Sequence, residues 1–432
     1  MDGRNDELNR RRQERQKERA IYASQMKMLK WGMIVMLAVL LICGVTILIA
    51  FVAAKQPDKE PQASAPNAGT QAPPTTTVPP ETKPITPDTV IHFLAGGDLN
   101  VTNKVVASGL TNGGYDYGNM LLDVMPLFAG ANLSAVNFEG NVYGTNYEEG
   151  KYAAPEQLMQ ALRNTGVDLV QIANSRTIAN GLWGLDSTIK AIQEGGMTPL
   201  GVAPDQETYE KTGGYTIREV NGIRIAVVAF TKGLNNAIWP EEGEQKVNLL
   251  FKDYYTDYQK LDTEGIERIL KSIQAQKPDV TIAMLHWGGE YVDKVSTTQE
   301  KICKLMQKGG VDAIIGTHPH YMQRVDYDAE KGTVVAYSLG DLLGDGGKDL
   351  DYSIALDLEI TKNGETGEVK ITNATPIPLY LLDETDSGGG LKVLRLKEAI
   401  AAYENRLIDR VPDAVYESMK KAMARIETRI KG

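Results

Sequence analysis

Two histidines one residue apart offer the clearest chemistry in this sequence. His318 and His320 lie directly after one short apolar run, and His286 lies directly after another. Neutral imidazole is the commonest metal ligand in proteins, so a His-x-His pair with a distant third histidine suits a metal site. The alternative is an ordinary loop in which Pro319 fixes a turn. The pair by itself does not decide between the two interpretations.

Polar residues at other predicted strand ends add two carboxylates to these histidines. Asp98 follows the apolar run 90–95, and Glu139 follows the run 133–136. Ligands of α/β sheets gather at the carboxyl ends of the strands, so we expect both carboxylates and the three histidines to converge on one rim. Such a set can hold one or two divalent ions. Each carboxylate alone would suit a helix N-cap or a solvated loop, but five residues at successive strand ends favour the metal site.

The other reactive side chains have plainer interpretations. His92 lies within a predicted strand and is expected to be structural. Cys303 lies on a helical face and is expected to be part of the core rather than a nucleophile. Glu290 is expected to line the cleft, and Trp287 either lines it or is simply packed.

Short apolar runs alternate with longer helical patterns from residue 89 onward, which predicts an α/β domain over residues 89–388 with much parallel sheet. Two alternating runs around Asn363-Gly364 indicate a hairpin, so the sheet is expected to be mixed. Residues 389–432 are predicted to form a C-terminal helical extension of two amphipathic helices. The predicted strands are 90–95, 133–136, 167–172, 223–230, 280–285, 311–315 and 334–337. The predicted helices are 155–165, 185–195, 262–276 and 297–308.

The chain before this domain has three parts of different composition. Residues 1–30 hold nine basic and five acidic residues, and residues 31–54 form an uncharged apolar stretch. That length suits one transmembrane helix, and the basic flank predicts a cytoplasmic N-terminus with the main domain outside the cell. A cleaved signal peptide is the alternative, although its apolar region would be shorter. Residues 55–88 are rich in Pro and Thr and are predicted to be an extended linker.

Charge and cysteine content limit the partners. The whole chain carries a net charge of −10, and because residues 1–30 carry +4, the remainder carries −14. An acidic body argues against nucleic acid as a partner. The two cysteines, one of them in the apolar stretch, predict no intrachain disulfide framework.

The motifs at the strand ends resemble those of the bacterial CapA family of capsule and poly-γ-glutamate synthesis proteins. The resemblance covers about residues 90–345 and is carried by Gly97-Asp98, Asn137-Phe138-Glu139-Gly140, Ala173-Asn174, His286-Trp287-Gly288-x-Glu290, Gly316-x-His318-Pro319-His320 and Tyr337-Ser338-Leu339-Gly340. It implies a metallophosphatase-like α/β/β/α sandwich with mixed sheets and a dinuclear metal site. The metal would be manganese, iron or zinc, and the five strand-end residues would take the ligand positions.

The sequence departs from the family pattern at several of these positions. The family usually carries Asn-Asn-His where this chain has Asn174-Ser175-Arg176, so a metal-binding Asn becomes Ser175 and a general-acid His becomes Arg176. Asn174 and Ser175 remain possible ligands. Asn103 stands where the family often has a basic residue, and Asp341 where it often has Asn. Arginine does not release its proton near neutral pH, but it can hold an anion.

Three functional hypotheses follow. In the first, the protein is a metal-dependent hydrolase of a phosphoester or a polymer amide, with Arg176 and Glu290 as the catalytic residues besides the ligands. In the second, it is a non-catalytic scaffold in capsule assembly or export. In the third, it senses cell-wall ligands. The expected partners of the first two are a polyanionic surface polymer or its synthesis machinery.

Overall fold

The computed structural model describes residues 86–147, 150–241, 243–405 and 412–432. The predicted cytoplasmic segment at 1–30, the predicted transmembrane helix at 31–54 and residues 55–85 of the predicted linker lie outside the described residues. Among the described helices, none combines the length and the apolarity that crossing a membrane requires.

Twenty strands and ten α-helices form the described part of the chain. The strands are β1 (Thr89–Asn100), β2 (Leu110–Thr111), β3 (Gly114–Tyr115), β4 (Leu133–Glu139), β5 (Asn141–Val142), β6 (Ala153–Ala154), β7 (Leu169–Gln171), β8 (Thr198–Leu200), β9 (Val202–Ala203), β10 (Tyr215–Val220), β11 (Ile223–Thr231), β12 (Lys246–Val247), β13 (Val280–His286), β14 (Ala313–Thr317), β15 (Val325–Asp328), β16 (Thr333–Ala336), β17 (Asp341–Leu343), β18 (Tyr352–Lys362), β19 (Val369–Glu384) and β20 (Gly390–Arg395). The helices are α1 (Asn103–Ser108), α2 (Gly118–Leu121), α3 (Met125–Gly130), α4 (Glu156–Thr165), α5 (Gly181–Glu194), α6 (Gln206–Thr212), α7 (Thr263–Ala275), α8 (Thr297–Lys308), α9 (Leu396–Glu404) and α10 (Asp413–Lys431).

Most of the strands belong to two mixed sheets. The first sheet has eight strands in the order β20-β19-β18-β1-β4-β7-β8, with β17 paired to β1. The second has six strands in the order β10-β11-β13-β14-β16-β15. In the first sheet β17, β1, β4, β7 and β8 run parallel, and in the second β11, β13, β14 and β16 do so. Asp98, Glu139 and His286 lie in the last residues of β1, β4 and β13, at the carboxyl ends of these parallel strands.

Alternation along the strands places one apolar core between the sheets and another on each outer face. In β1, Ile91 and Phe93 belong to the inner core and Leu94 belongs to the outer core beneath helices α3, α4 and α5. In β11, Val227 points inward, whereas Phe230 packs in the core under α7 and α8. Successive side chains of a strand point to opposite faces, so strands buried on both faces are apolar throughout. The predicted mixed α/β sandwich is confirmed, with layers in the order helix, sheet, sheet, helix.

The predictions for local elements hold for most of the domain and fail at its end. The hairpin predicted around Asn363-Gly364 is confirmed, since β18 and β19 pair antiparallel across it. The prediction that the C-terminal extension is helical from residue 389 is wrong, because Gly390–Arg395 forms strand β20 against β19. Leu391 and Val393 are buried at a spacing of two residues, the period of a strand. Helices begin only at Leu396, in α9 and then α10.

The first strand also runs further than the sequence predicts. It continues past Ala95 to Asn100, and its register with β4 shifts between Ala95 and Asp98. Such a bulge re-aims the side chains that follow it. The backbone there is held close to a neighbouring turn, because a Cβ on Gly97 would lie 1.9 Å from the carbonyl oxygen of Gly340. Glycine at this position therefore allows Asp98 to reach the rim of the sheet.

Candidate metal centre

Six buried side chains meet at one edge of the sandwich, where strands of both sheets end. The first sheet supplies three carboxylates and the second supplies three imidazoles: Asp98, Glu139, Asp341, His286, His318 and His320. The structure thus brings together all five residues that the sequence proposed as ligands. It adds Asp341, which the sequence prediction treated only as a departure from the family pattern. The sequence did offer a signal for Asp341. It follows Gly340 just as Asp98 follows Gly97, and Gly97-Asp98 lies near the end of β1.

Three of these residues form what we call the imidazole triad, namely Glu139, His286 and His318. One ligand atom from each lies within 4.8 Å of the others. The Nε2 atom of His286 is 3.6 Å from Oε1 of Glu139, and the centroids of the two imidazole rings are 4.5 Å apart. These separations are within the span of donor atoms that share one ion.

The other three residues form the carboxylate triad, namely Asp98, His320 and Asp341. Their ligand atoms also lie within 4.8 Å of one another. The Nδ1 atom of His320 is 2.7 Å from Oδ1 of Asp341 and 3.9 Å from Oδ2 of Asp98. Asp98 and Asp341 face each other because β1 and β17 pair in parallel with these two residues in register.

The loop that carries the histidine pair has an uncommon backbone. Both His318, at φ 92°, and His320, at φ 57°, adopt the left-handed region that side chains rarely occupy. Such conformations persist where surrounding contacts fix them, and they cluster at functional sites. Here the His318 main-chain N–H donates to Oδ2 of Asp98 at 3.0 Å. Two residues after His320, the carbonyl oxygen of Met322 accepts from the Arg429 guanidinium of α10 at 3.1 Å.

Burial dominates the electrostatics of the centre. It raises the pKa of Asp98 to about 6 and that of Glu139 to about 8. Burial and neighbouring cationic groups hold the pKa values of His286 and His318 well below the ordinary value for histidine. Burial alone would also lower the pKa of His320, but the surrounding carboxylates outweigh it and hold that pKa well above the ordinary value. A group of carboxylates that resists ionisation in this way favours a bound cation.

A chain of amide side chains supports the centre from below. Asn137 donates from Nδ2 to Oδ1 of Asp98 at 2.6 Å, and its own oxygen accepts from Nδ2 of Asn174 at 3.0 Å. The Asn174 oxygen accepts from the main-chain N–H of Arg176 at 2.9 Å. Both ends of the Asn174 amide are thus engaged by protein groups. The structure therefore gives Asn174, a possible ligand in the sequence prediction, a supporting position.

The remaining predicted site residues lie around the imidazole triad and at the mouth of the cleft. Ser175 Oγ is 3.0 Å from Nε2 of His286. The guanidinium carbon of Arg176 lies 3.6 Å from the ring centroid of Tyr152, and its Nε atom is buried without a hydrogen-bond partner among the described residues. Glu290 is exposed, and its Oε1 atom lies 3.8 Å from Nε2 of His320. All three are thus close enough to touch a bound molecule.

One further residue was missed by the sequence prediction. Lys232 follows strand β11, and its Nζ atom lies 3.2 Å from Nε2 of His318. Burial lowers the pKa of its ammonium group. The histidines were found because they are polar residues directly after buried strands. The same signal would have identified Lys232.

Two reactive residues lie elsewhere, as the sequence predicted. His92 is partly exposed in β1, where its Nδ1 atom is 3.1 Å from the carboxylate of Asp357. Cys303 is buried in the core under α8, and burial raises the pKa of its thiol to about 12. A thiol held so far from ionisation is a poor nucleophile.

The donor atoms of the centre fit a divalent ion. Imidazole nitrogen and carboxylate oxygen are the ligands that zinc, manganese and iron accept. The Oε2 atom of Glu139 is buried, has no hydrogen-bond partner among the described residues and lies 3.9 Å from Nε2 of His320. A buried carboxylate oxygen without a donor is costly unless a cation or proton satisfies it.

The fold and this edge together define an α/β/β/α sandwich with a buried centre of carboxylates and imidazoles at its strand ends. The chain belongs to the family described as bacterial capsule synthesis protein PGA_cap, whose family model matches residues 92–346. That range contains all six residues of the centre. The predicted resemblance to the CapA family is thereby confirmed.

Two curated relatives carry this family's names. The capsule biosynthesis protein CapA of Bacillus anthracis is 27% identical over 248 residues, which cover 54% of this chain and 55% of the relative. The PGA biosynthesis protein CapA of Bacillus subtilis (strain 168) is 26% identical over 268 residues, covering 59% of this chain and 66% of the relative. The aligned part thus spans between one half and two thirds of each relative.

Solved structures align with lower similarity. A novel phosphatase from Mycoplasma pneumoniae gives a TM-score of 0.41 at 14% identity, covering 67% of this chain and 94% of that one. The calcineurin-like phosphoesterase YfkN from Bacillus subtilis gives a TM-score of 0.39 at 17% identity, covering 68% of this chain and 91% of that one.

Proposed function

We propose that this protein acts at the outer face of the cell membrane in the biosynthesis or export of a capsule polymer of the poly-γ-glutamate type. We further propose that its strand-end centre binds a divalent ion for that task. The observation that carries the proposal is the meeting of six buried carboxylates and imidazoles from two sheets within the family-matched range. The names of the two CapA relatives support the choice of polymer.

The location rests on the sequence. The apolar stretch 31–54 suits a single membrane span, and the basic segment 1–30 suits the cytoplasmic side. The linker at 55–88 would hold the domain away from the bilayer, where a surface polymer can reach it.

A polyanion can approach an acidic protein only where the local field is positive. The chain carries a net charge of −10, but two cations, Arg176 and Lys232, lie beside the imidazole triad. Arg176 is partly buried and presents a planar group with several donors, which suits a carboxylate or a phosphate. These two residues would therefore hold the anionic part of the substrate.

The reaction this donor set serves best is hydrolysis of a phosphoester or of a polymer amide. A divalent ion, when bound, supplies Lewis-acid polarisation of a carbonyl or phosphoryl oxygen. Arg176 would orient the substrate anion, and the exposed Glu290 would move a proton at the mouth of the cleft, beside His320. Asn137 and Asn174 would keep Asp98 in position through their hydrogen bonds.

A scaffold without turnover is the second candidate, and the residues beside His286 favour it. Arg176 occupies the position where the resembled family carries its histidine acid, and arginine cannot exchange a proton near neutral pH. The adjacent Ser175 offers a hydroxyl in place of an amide oxygen. A scaffold would keep the ion and the anion-binding residues and lack the proton donor.

One experiment tests the proposal and separates the two candidates. The metal content of the purified chain is measured together with cleavage of poly-γ-glutamate and of an aryl phosphoester. We expect bound divalent metal in the wild type, its loss in His320→Ala, and its retention in the matched control His92→Ala, which lies outside the centre. Less than a tenth of an equivalent of metal in the wild type would contradict the proposal.

Turnover in the wild type would identify a hydrolase. Turnover only in the double variant Ser175→Asn with Arg176→His would identify a scaffold derived from one. Absence of turnover in both, with polymer binding retained, would also favour the scaffold.

A further inference from the structure

The last turns of helix α10 carry positive charge in a chain that is acidic as a whole. Residues 420–431 hold five basic residues and one acidic residue, a net charge of +4, whereas the whole chain carries −10. Three of the cations, Lys421, Arg425 and Arg429, are spaced four residues apart and therefore follow one another along the same side of the helix. We call these three residues the basic stripe. Its successive charges are about 6 Å apart along the helix axis, since each residue rises by about 1.5 Å.

The basic stripe lies beside the buried face of α10 and is largely open to solvent. Met419, Ala422 and Ile426 are buried in the inner core, whereas Lys421 and Arg425 are exposed. No ion pair or hydrogen bond joins the Lys421 side chain to another described residue. The stripe is therefore accessible to a ligand that approaches from outside the protein.

A carboxylate of the protein itself already lies against the middle of the stripe. The Nη1 atom of Arg425 is 2.6 Å from Oδ1 of Asp349, and the same oxygen accepts from the Tyr352 hydroxyl at 3.2 Å. These three residues, together with Thr428 and Arg429, line a surface cavity of about 460 Å³. A guanidinium has five N–H donors, so Arg425 can bind a further carboxylate beside that of Asp349. The cavity thus has the donors and the room that a carboxylate ligand requires.

The last residue of the stripe reaches the loop that carries the histidine pair. Arg429 donates to the carbonyl oxygen of Met322, and its guanidinium carbon lies 5.5 Å from the ring centroid of Tyr321. The Tyr321 ring is 6.0 Å from the ring of Tyr291, which in turn is 5.3 Å from the ring of His320. A continuous set of contacts therefore leads from the basic stripe to the mouth of the metal centre.

An anionic polymer and an anionic membrane surface both carry the repeated negative charge that such a stripe attracts. A helix that lies on a membrane inserts an exposed apolar face among the lipids. In α10 the apolar face is buried, and none of the exposed large hydrophobic side chains of the described residues belongs to this helix. An extended polymer needs only spaced cations in an accessible place. The stripe therefore fits a polymer better than a membrane.

We propose that the basic stripe is a second binding site, which holds an anionic polymer of carboxylate repeats beside the metal centre. The choice of polymer rests on the proposed function, whereas the stripe itself lies outside the family-matched range 92–346. Each of the three cations contacts one anionic group of the polymer. Several weak contacts along one chain give a polymer much tighter binding than a single repeat unit obtains.

The binding of fluorescein-labelled poly-γ-glutamate to the full 432-residue chain tests the proposal. Fluorescence anisotropy is measured in a neutral detergent with EDTA, which removes any metal ion from the centre, at about 0.1 M salt, where the screening length is about 10 Å. We expect Lys421→Gln combined with Arg425→Gln to weaken binding about tenfold, since each exposed charge contact contributes a few-fold.

The matched control removes the same charge from another side of the same helix. Lys420 and Lys431 are both exposed and lie roughly 80–100° around the helix axis from Lys421. Lys420→Gln combined with Lys431→Gln should bind the polymer within about twofold of the wild type. An equal loss in the control and in the stripe variant would overturn the proposal, because the net charge of the helix would then be sufficient.

Two further measurements do not depend on the ion pair of Arg425 with Asp349. Lys421→Glu reverses the charge of an exposed side chain, so it should weaken polymer binding severalfold even if Arg425→Gln failed to fold. Free glutamate at the same carboxylate concentration should leave the labelled polymer bound, because only the polymer contacts several cations at once. Displacement by free glutamate, or wild-type binding by Lys421→Glu, would overturn the proposal.

The remaining outcomes separate the stripe from a membrane contact and from the metal centre. If the stripe variant lost binding to micelles that contain phosphatidylglycerol and kept binding to the polymer, the stripe would belong to the membrane and the proposal would be overturned. Absence of polymer binding by the wild type in EDTA would overturn the stripe and leave the metal centre standing. Absence of metal from the wild type would contradict the metal centre and leave the stripe standing.

Discussion

Replacement of Asp98 by asparagine is the sharpest perturbation of the centre, because it keeps the shape of the side chain. The two carboxylate oxygens of Asp98 accept from Nδ2 of Asn137 at 2.6 Å and from the main-chain N–H of His318 at 3.0 Å. Asp98→Asn turns one of these acceptors into a donor, which must then face another donor in a fully buried place. The same change removes one carboxylate from the carboxylate triad.

The size of the effect has two parts. A buried donor left without its acceptor costs about 1–3 kcal/mol, and this loss is independent of metal. Metal at 100 times its dissociation constant stabilises the wild type by about 2.7 kcal/mol, and this gain disappears if the site is lost. Burial raises the pKa of Asp98 to about 6, so at pH 7.5 the wild type holds a carboxylate whose ionisation itself costs stability, and the neutral amide offsets part of the lost hydrogen bond in EDTA. We therefore expect a deficit of at most about 3 kcal/mol in EDTA, and a deficit larger by about 2.7 kcal/mol in metal at 100 times its dissociation constant.

Thermal unfolding in EDTA and in Zn²⁺ measures both parts. Each kcal/mol of lost stability should lower the melting temperature by roughly 2–4 °C in a domain of about this size. Asp357→Asn is the matched control, because this carboxylate lies on β18 beside His92 and should leave the zinc-dependent shift unchanged. A zinc-dependent shift of wild-type size in Asp98→Asn would refute the ligand assignment.

Four further predictions concern the centre and its surroundings. Gly316→Ala should abolish stable folding, because its Cβ would lie 1.9 Å from the carbonyl oxygen of Tyr337, whereas Gly130→Ala, with nothing within 4 Å, should unfold in urea close to wild type. Zinc affinity should rise with pH up to at least pH 8 in titrations, because the ion must displace the proton of Glu139, whose pKa burial raises to about 8, and that of His320, whose pKa the surrounding carboxylates hold well above its ordinary value. In EDTA the same carboxyl binds its proton more tightly in the folded than in the unfolded chain, so its contribution to stability is lost as pH rises from about 4.5 towards 8. Arg429→Met removes a hydrogen bond to the main chain just beyond the histidine pair, which contributes about 1 kcal/mol. The variant should therefore bind zinc severalfold more weakly in the same titration.

The local patterns of the chain were enough to predict most of the sandwich. Strands such as β13 and β14 are mostly apolar because both faces are buried, and that pattern is visible in the sequence. The helix predicted at 297–308 is confirmed with the same bounds, since Ser296 and Gln299 form a capping box at its start. Strand β20 was missed because its six residues run directly into a helix and its pairing partner fixes it as a strand.

The sequence predicted the site residues that stand at single strand ends, but not how residues of different strands meet. The sequence shows Asp341 and Lys232 beside buried strands, but their roles depend on neighbours across the sheets. Asp341 reaches the centre through the parallel pairing of β17 with β1, which joins residues far apart in the chain. Lys232 reaches the centre through Nε2 of His318, which follows a strand two positions away in the second sheet. No local pattern reports either relation.

The division of charge between the sheets explains why the centre depends on the whole sandwich. The first sheet supplies only carboxylates, which repel one another when buried, and the second supplies only imidazoles and the lysine. Each of the two triads takes ligand atoms from both sheets, the imidazole triad through Glu139 and the carboxylate triad through His320. The inner core, in which Phe93 of β1 and Val227 of β11 are both fully buried, is what brings the two sets together. Zinc binding should therefore depend on the packing of the two sheets. The cavity left by Phe93→Ala should lower the zinc affinity and the free energy of unfolding together.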